Sequence, residues 1–178
     1  MPYLYGMKEH KGMRSHDIVI LLKMVALADR PWHNKDLAQK LYISASEVSE
    51  SLNRSRIARL VNSEKNRVNI SAFVDFLEKG LPYVFPAEPG RITIGVPTAH
   101  SSLPLSQHIH SEQGYVWPFA KGSMRGEAIT PLHPNVPKAV ENDSVLHELL
   151  SLADALRVGR ARERNLAVEL LNERIHAY

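Results

Sequence analysis

The chain contains no cysteine among its 178 residues, which excludes disulfide bonds, thiolate metal sites and a cysteine nucleophile. No apolar run is longer than that from Ile18 to Leu22, whereas crossing a bilayer takes ~20 residues. The first residues lack the basic stretch and apolar core of a secretory signal. We therefore expect a cytoplasmic protein with no membrane partner.

Sequence signatures of enzymes are also missing. The chain has no H-E-x-x-H, G-x-S-x-G, Walker loop or G-x-G-x-x-G. The pair His108 and His110 has no third ligand at a telling spacing, so we interpret it as part of a surface loop. The segment Gly122–Gly126 lacks the Lys-Ser/Thr ending of a phosphate loop and is interpreted as a hairpin turn. We expect no catalytic residue, metal ion or cofactor, and therefore no enzyme.

Proline is concentrated in one part of the chain. Nine of the eleven prolines lie between Pro82 and Pro137, and proline disfavours helix both at its own position and at the preceding residue. The contents of 44% hydrophobic and 23% charged residues are typical of a folded protein. We predict a mainly α protein with a helical region at 1–80, a Pro-rich α+β or irregular middle region at 81–142, and two C-terminal helices at 143–178.

Apolar spacing and capping residues predict the elements of these regions. In the first region we expect four helices, at about 16–28 with Ser15 as cap, 34–41, 45–58, and from Asn69 or Ser71 to Gly80. Two short strands, 60–61 and 67–68, are predicted to be joined by a polar turn. The middle region offers strands at about 91–96, 115–119 and 124–129, whose pairing is not readable. The tail offers helices at about 143–158 and 160–177, with Gly159 as the break.

The segment from Asn34 to Leu52 fits a helix-turn-helix. Its apolar positions face a common core, Ala38 provides the small residue where two helices cross, and Ser44 with Glu47 forms a capping box before the second helix. In this motif the second helix lies in the DNA major groove. The apolar positions are Leu37, Leu41, Ile43, Val48 and Leu52.

Over about residues 15–80 the chain resembles winged helix-turn-helix regulators of the MarR type. Their L-A-x-x-L-x-[IL]-S-x-S-x-V-S pattern is present as Leu37, Ala38, Leu41, Ile43, Ser44, Ser46, Val48 and Ser49. Tyr42 stands at a turn position that is usually Gly, where positive φ costs another residue about 1 kcal/mol. The family pattern also changes at Ser55, where a core Leu is common, and at Arg59, before the short wing.

The resemblance implies which residues contact DNA. The exposed face of the second helix would read base edges through Ser46, Glu47, Ser49, Glu50 and Asn53. Phosphate contacts, which position the protein without reading sequence, would come from Ser44, Arg54, Arg56, Lys65 and Arg67. Two plainer interpretations stay open: Glu47 as a capping residue only, and Glu50 as a solvated helix charge.

The tail contains four arginines in eight residues: Arg157, Arg160, Arg162 and Arg164. They predict a second nucleic-acid contact, a docking patch for an acidic protein, or simply the solvated start of a helix. The apolar faces of the two tail helices are predicted to be core in part and otherwise to build a two-fold interface, because terminal helices commonly do so in such regulators.

These features favour a homodimeric, sequence-specific regulator of transcription, a repressor rather than an activator. Two recognition helices would read an inverted repeat of double-stranded DNA with half-sites ~34 Å apart. The alternative is an antitoxin or other interaction protein that binds a partner protein, such as a toxin, through residues 81–178 and regulates its own operon. The Pro-rich middle region favours this alternative, since extended segments are well suited to lying along another surface.

Overall fold

The computed structural model describes residues 12–177, so residues 1–11 and 178 of the predicted first and last regions lie outside it. The described part is mainly α-helical with one small sheet. The helices are α1 (Ser15–Leu27), α2 (Asn34–Leu41), α3 (Ala45–Ile57), α4 (Ile70–Lys79), α5 (Leu81–Val84), α6 (Val136–Ala139), α7 (Ser144–Val158) and α8 (Ala161–Ala177). The strands are β1 (Ile92–Pro97), β2 (Tyr115–Pro118) and β3 (Met124–Ala128).

Helix α1 is the central helix of the N-terminal part, and its residues from Asp17 to Leu27 are buried. The predicted cap Ser15 is wrong by one residue, because Arg14 is the N-cap and its backbone N–H donates to Asp17 Oδ2 at 2.8 Å. An acidic side chain at this position also interacts favourably with the helix dipole. Asp17 therefore stabilises the first turn of α1.

Helix α2 has the predicted bounds and α3 ends one residue before the predicted end, and the two are joined by the turn at Tyr42. Tyr42 adopts the left-handed conformation expected at this position, with φ 55° and ψ 40°. Ser44 caps α3, since its Oγ accepts the backbone N–H of Glu47 at 3.2 Å. The inward faces of both helices, including Leu37, Leu41, Val48 and Leu52, are buried.

The two strands predicted at 60–61 and 67–68 are reduced to a single antiparallel bridge between Val61 and Val68. Asn62 closes the intervening turn, because its side-chain oxygen accepts the backbone N–H groups of Asn66 and Arg67. Lys65 in that turn has a positive φ of 59°. The chain therefore reverses immediately after Val61, and no longer ladder forms.

The three predicted middle strands exist and form a closed barrel in which each strand pairs with the other two. β1 is antiparallel to both β2 and β3, so β2 and β3 run parallel. The predicted hairpin turn at Gly122–Gly126 is therefore wrong: the segment from Met124 onward lies in β3, which runs parallel to β2. A Cβ on Gly122 would stand 2.1 Å from the carbonyl carbon of Gly95, so glycine permits this close approach.

The three predicted regions all contribute residues to one hydrophobic core. α7 packs against α1 and α8, and Lys23 of α1 pairs with Asp143, which caps α7 by accepting the backbone N–H of Leu146. The apolar face of α7 and the inward residues of α8 belong to this core, as predicted for part of these faces. The two-fold interface on the rest of the tail stays a prediction. The core residues concerned are Leu146, Leu149, Leu150, Leu152, Leu156, Ala167, Leu171 and Ile175.

A buried carboxylate ties the barrel to α7. Asp154 Oδ2 accepts hydrogen bonds from Thr98 Oγ1 at 2.8 Å and from Trp117 Nε1 at 2.6 Å. Its other oxygen binds Arg157 at 2.7 Å.

Within residues 12–177, no helix is long and apolar enough to span a membrane.

Candidate nucleic-acid interface

The outward face of α3 carries most of the residues predicted to read bases. Ser46, Ser49 and Glu50 are exposed, and Asn53 is half-buried one turn farther along. Asn53 Oδ1 accepts a hydrogen bond from Arg56 Nη2 at 3.2 Å, which leaves its amide N–H groups available to an acceptor. Small hydroxyls and one carboxamide thus form a face that can both donate and accept hydrogen bonds.

The beginning of α3 is formed by hydroxyl groups. Ser44 Oγ caps the helix and lies 3.2 Å from Ser46 Oγ. Both residues are exposed. The first turn of α3 therefore combines exposed hydroxyls with the positive end of the helix dipole.

Arg54, predicted to contact phosphate, is instead part of the interior, and this prediction is corrected. Its guanidinium binds Asp17 through Nε at 3.0 Å and Nη2 at 2.7 Å, and Nη2 also binds Glu47 at 2.7 Å. Only 8% of the residue is exposed. Asp17 raises the pKa of Arg54 further, against the effect of burial. A guanidinium neutralised by two carboxylates has little charge left for DNA.

Glu47, predicted as a base contact or a cap, joins α3 to α1. Oε1 lies 2.7 Å from both Arg54 Nη2 and His16 Nε2, and 3.6 Å from the exposed guanidinium of Arg14. Burial acts to raise the pKa of Glu47, but hydrogen bonds from Arg54 and His16 outweigh it, so the pKa lies below its usual range. The carboxylate thus binds His16 and Arg54 instead of the backbone N–H of Ser44, so only one half of the predicted capping box forms: Ser44 accepts the backbone N–H of Glu47.

The remaining predicted phosphate contacts occupy two positions. Arg56 is exposed in the last turn of α3. Lys65 and Arg67 lie in the turn after Val61, where Arg67 is exposed and Lys65 half-buried. Both line an open groove together with Trp32. Cations therefore stand beyond the C-terminal end of the α3 face and on the adjacent turn.

Sequence reasoning missed two exposed cations at the opposite end of α3. One is Arg14, which precedes α1 and approaches Glu47. The other is Lys138 of α6, whose Nζ lies 4.1 Å from the centroid of the Tyr42 ring. Arg14 could have been found from the sequence, because it is a basic residue directly before the first predicted helix. No sequence signal places α6, some 95 residues away in the chain, beside Tyr42.

Only part of the predicted basic patch in the tail is present at the surface. Arg157 has a buried side chain that binds Asp154 at 2.7 Å and donates to the carbonyl oxygens of Phe85 and Thr130. Its charge is compensated, so its assignment to a surface patch is corrected. Arg160 and Arg162 are exposed and Arg164 is half-buried, which leaves three cations around the start of α8.

A serine and a histidine meet near the barrel without forming a nucleophile pair. Ser102 Oγ lies 3.3 Å from His147 Nε2, but the same nitrogen lies 2.8 Å from the carbonyl oxygen of Pro97. A carbonyl only accepts, so Nε2 carries the proton and cannot remove one from Ser102. His108 and His110 lie in a loop, and no group of three potential metal ligands occurs in residues 12–177.

Comparison of the chain with known protein families, curated proteins and solved structures finds no match. Any function proposed for this molecule therefore depends on its own residues. The strongest candidate surface is the outward face of α3, with cations near both of its ends.

Proposed function

We propose that the protein is a sequence-specific regulator of transcription that binds double-stranded DNA in the cytoplasm with α3 in the major groove. The observation that carries the proposal is the division of α3 into two faces. Val48, Ser51 and Leu52 are buried against the core, while Ser46 and Ser49 face outward. A helix held in this way can enter a groove without uncovering the core.

The arrangement of α1, α2 and α3 with the following turn supports a winged helix-turn-helix of reduced size. With one bridge only, between Val61 and Val68, the wing is too short to lie along a minor groove. Lys65 and Arg67 in its turn then act on backbone phosphates, and Arg56 does the same at the end of α3. Sequence is read by Ser46, Ser49, Glu50 and Asn53.

We further propose that it acts as a homodimeric repressor on an inverted repeat. α7 and the inward face of α8 are internal, so a two-fold contact uses another surface. The residues from 81 to 103 expose several large apolar side chains that suit this role, with exposed fractions of 77% for Tyr83, 51% for Val84, 58% for Ile92 and 46% for Ile94.

A binding selection on fragmented genomic DNA tests the proposal. Purified full-length protein is mixed with fragments of its source genome at ~150 mM salt, and the mass of the complex is measured by light scattering. We expect one enriched palindromic site, occupied by two copies. Binding without sequence preference, or no binding, contradicts the proposal.

Matched variants test the assigned face. Asn53→Ala should relax preference at one base pair, because a carboxamide that pairs with adenine contributes about 1–3 kcal/mol of discrimination. Asn165→Ala on α8 is the control, since Asn165 is exposed and far along the chain from α3. An unchanged preferred site in Asn53→Ala would show that the groove assignment is wrong.

The second candidate function is an antitoxin or similar interaction protein that also regulates its operon. The same exposed side chains on α5 and β1 favour it, because Ile92 and Ile94 present adjacent apolar positions on one strand face. Co-expression with the product of the neighbouring gene should then give a heterocomplex in light scattering. The double variant Ile92→Ser with Ile94→Ser should abolish that complex.

A further inference from the structure

The segment containing α6 is attached to the turn between α2 and α3. Asn135 Nδ2 donates a hydrogen bond to the carbonyl oxygen of Tyr42 at 2.7 Å, and Lys138 Nζ lies 4.1 Å from the centre of the Tyr42 ring. Val136 and Pro137, between these two contacts, are buried. α6 is therefore held beside the turn by two contacts to Tyr42, while it packs against α2.

This attachment brings Lys138 close to the beginning of α3. Tyr42 precedes the capping residue Ser44 by two positions, so their Cα atoms are at most ~7.6 Å apart. Ser44 and Ser46 are exposed at that end of the outward face. The ammonium group of Lys138 thus lies over the turn that leads into α3.

The charges at this end of α3 leave a role open for Lys138. Arg54 is neutralised by Asp17 and Glu47, and Arg14 lies over Glu47. Lys138, in contrast, contacts an aromatic ring and no carboxylate within the described residues. An exposed cation–π contact is weaker than a charge-assisted hydrogen bond to phosphate, so the flexible lysine can exchange one for the other.

We propose that α6 belongs to the DNA-contacting surface and that Lys138 binds a backbone phosphate beside the start of α3. This inference rests on the DNA-binding function proposed above. The middle region then contributes directly to affinity, and the footprint on DNA is wider than that of α3 and the short wing. Tyr42 and Asn135 are positioning residues, because they hold α6 in place without contacting DNA.

The test measures the salt dependence of binding to a fluorescein-labelled 30-bp duplex of random sequence by anisotropy, from 50 to 200 mM KCl. Each phosphate contact contributes about 0.9 to the slope of log K against log[salt]. Lys138→Gln should therefore make the slope shallower by about 0.9. Between 50 and 200 mM KCl the variant should then lose about threefold less affinity than the wild type. Lys138→Arg should retain the wild-type slope, and Lys121→Gln, an exposed cation between β2 and β3, is the control with the same change of charge.

Two further readouts separate a phosphate contact from a structural role. The thermal midpoint of Lys138→Gln should match that of the wild type, and Tyr42→Leu, which removes the ring but keeps the lysine, should retain most of the slope. An unchanged slope in Lys138→Gln, with the wild type binding, overturns the inference alone. A wild type that does not bind any duplex at 50 mM KCl overturns the proposed function together with the inference.

Discussion

The guanidinium of Arg54 in α3 holds the carboxylate of Asp17 in α1 through two hydrogen bonds, at 3.0 Å from Nε and 2.7 Å from Nη2. The same carboxylate accepts the backbone N–H of Arg14 and so also caps α1. The angle at which α3 leaves the core is thereby linked to the first turn of α1. A bidentate pair fixes orientation more strictly than a point contact between charges.

Replacing Arg54 should destabilise the fold strongly. Arg54→Met leaves Asp17 buried and unpaired, which typically costs about 3–5 kcal/mol. Chemical denaturation in urea should show this loss, and the double variant with Asp17→Asn should recover part of it because the unpaired charge is gone. Lys79→Met, which breaks an exposed pair with Asp75 on α4, should leave the midpoint unchanged. Equal effects of Arg54→Met and Lys79→Met would contradict the internal role of Arg54.

Removing the carboxylate of Asp154 should detach the barrel from α7. Asp154→Ala deprives Trp117 and Arg157 of a buried acceptor, and we expect a loss of about 3 kcal/mol in the free energy of unfolding. Thr98→Val removes one neutral donor and should cost about 1 kcal/mol. Near-UV circular dichroism of the buried Trp117 provides the second readout. A native Trp117 signal in Asp154→Ala would show that the barrel holds without this anchor.

Acidification should weaken the fold through His133. Burial lowers the pKa of His133 below its ordinary 6.5, and the neighbouring His16 lowers it further. Its Nδ1 also accepts the backbone N–H of Asn135, which requires the unprotonated nitrogen. Because the unfolded chain binds this proton more readily, stability is complete above pH 6.5 and falls as the pH drops through the lower folded value.

The measurement is the free energy of unfolding at pH 7.5 and pH 5.5. His133→Gln should flatten the difference between the two values relative to the wild type. His110→Gln, at an exposed loop position, should leave the difference unchanged. If His133→Gln keeps the wild-type difference in the free energy of unfolding, groups other than His133 cause the pH dependence.

Adding a methyl group to Gly122 should disturb the barrel. The new Cβ would meet the backbone of Gly95 at 2.1 Å, so backbone must move, whereas a Cβ on Gly90 has its nearest neighbour, the carbonyl oxygen of Ala128, at 3.4 Å. We expect Gly122→Ala to lower the free energy of unfolding by about 1–3 kcal/mol or more, and we expect Gly90→Ala to change it little. The measurement is the thermal midpoint of each variant, and equal midpoints would contradict the close approach of Gly122 to Gly95.

The sequence predicted local structure well and spatial partners poorly. The capped start of α3, the left-handed turn at Tyr42 and the break at Gly159 depend on neighbouring residues, and all three are present. Arg54 was misassigned because its partner Asp17 lies 37 positions away.

The middle region shows the same limit. The strands were predicted within one or two residues because each has its own pattern of β-forming residues and flanking breaks. The paired strands bring Gly95 close to Gly122, and Trp117 donates to Asp154 of α7, but neither contact produces a periodic pattern in the sequence. Arg157 was assigned to a surface patch for this reason, since two of its three acceptors, the carbonyl oxygens of Phe85 and Thr130, come from distant parts of the chain.

The closure of the small sheet limits how other molecules can join it. Each of β1, β2 and β3 already has a neighbour on both sides, so the sheet has no border strand that could template an added one. A protein that recognises Ile92 and Ile94 must do so through side-chain packing, because the backbone of the sheet offers no open ladder. Copies of the molecule are likewise prevented from stacking border to border into continuous ribbons, even where these apolar side chains attract them.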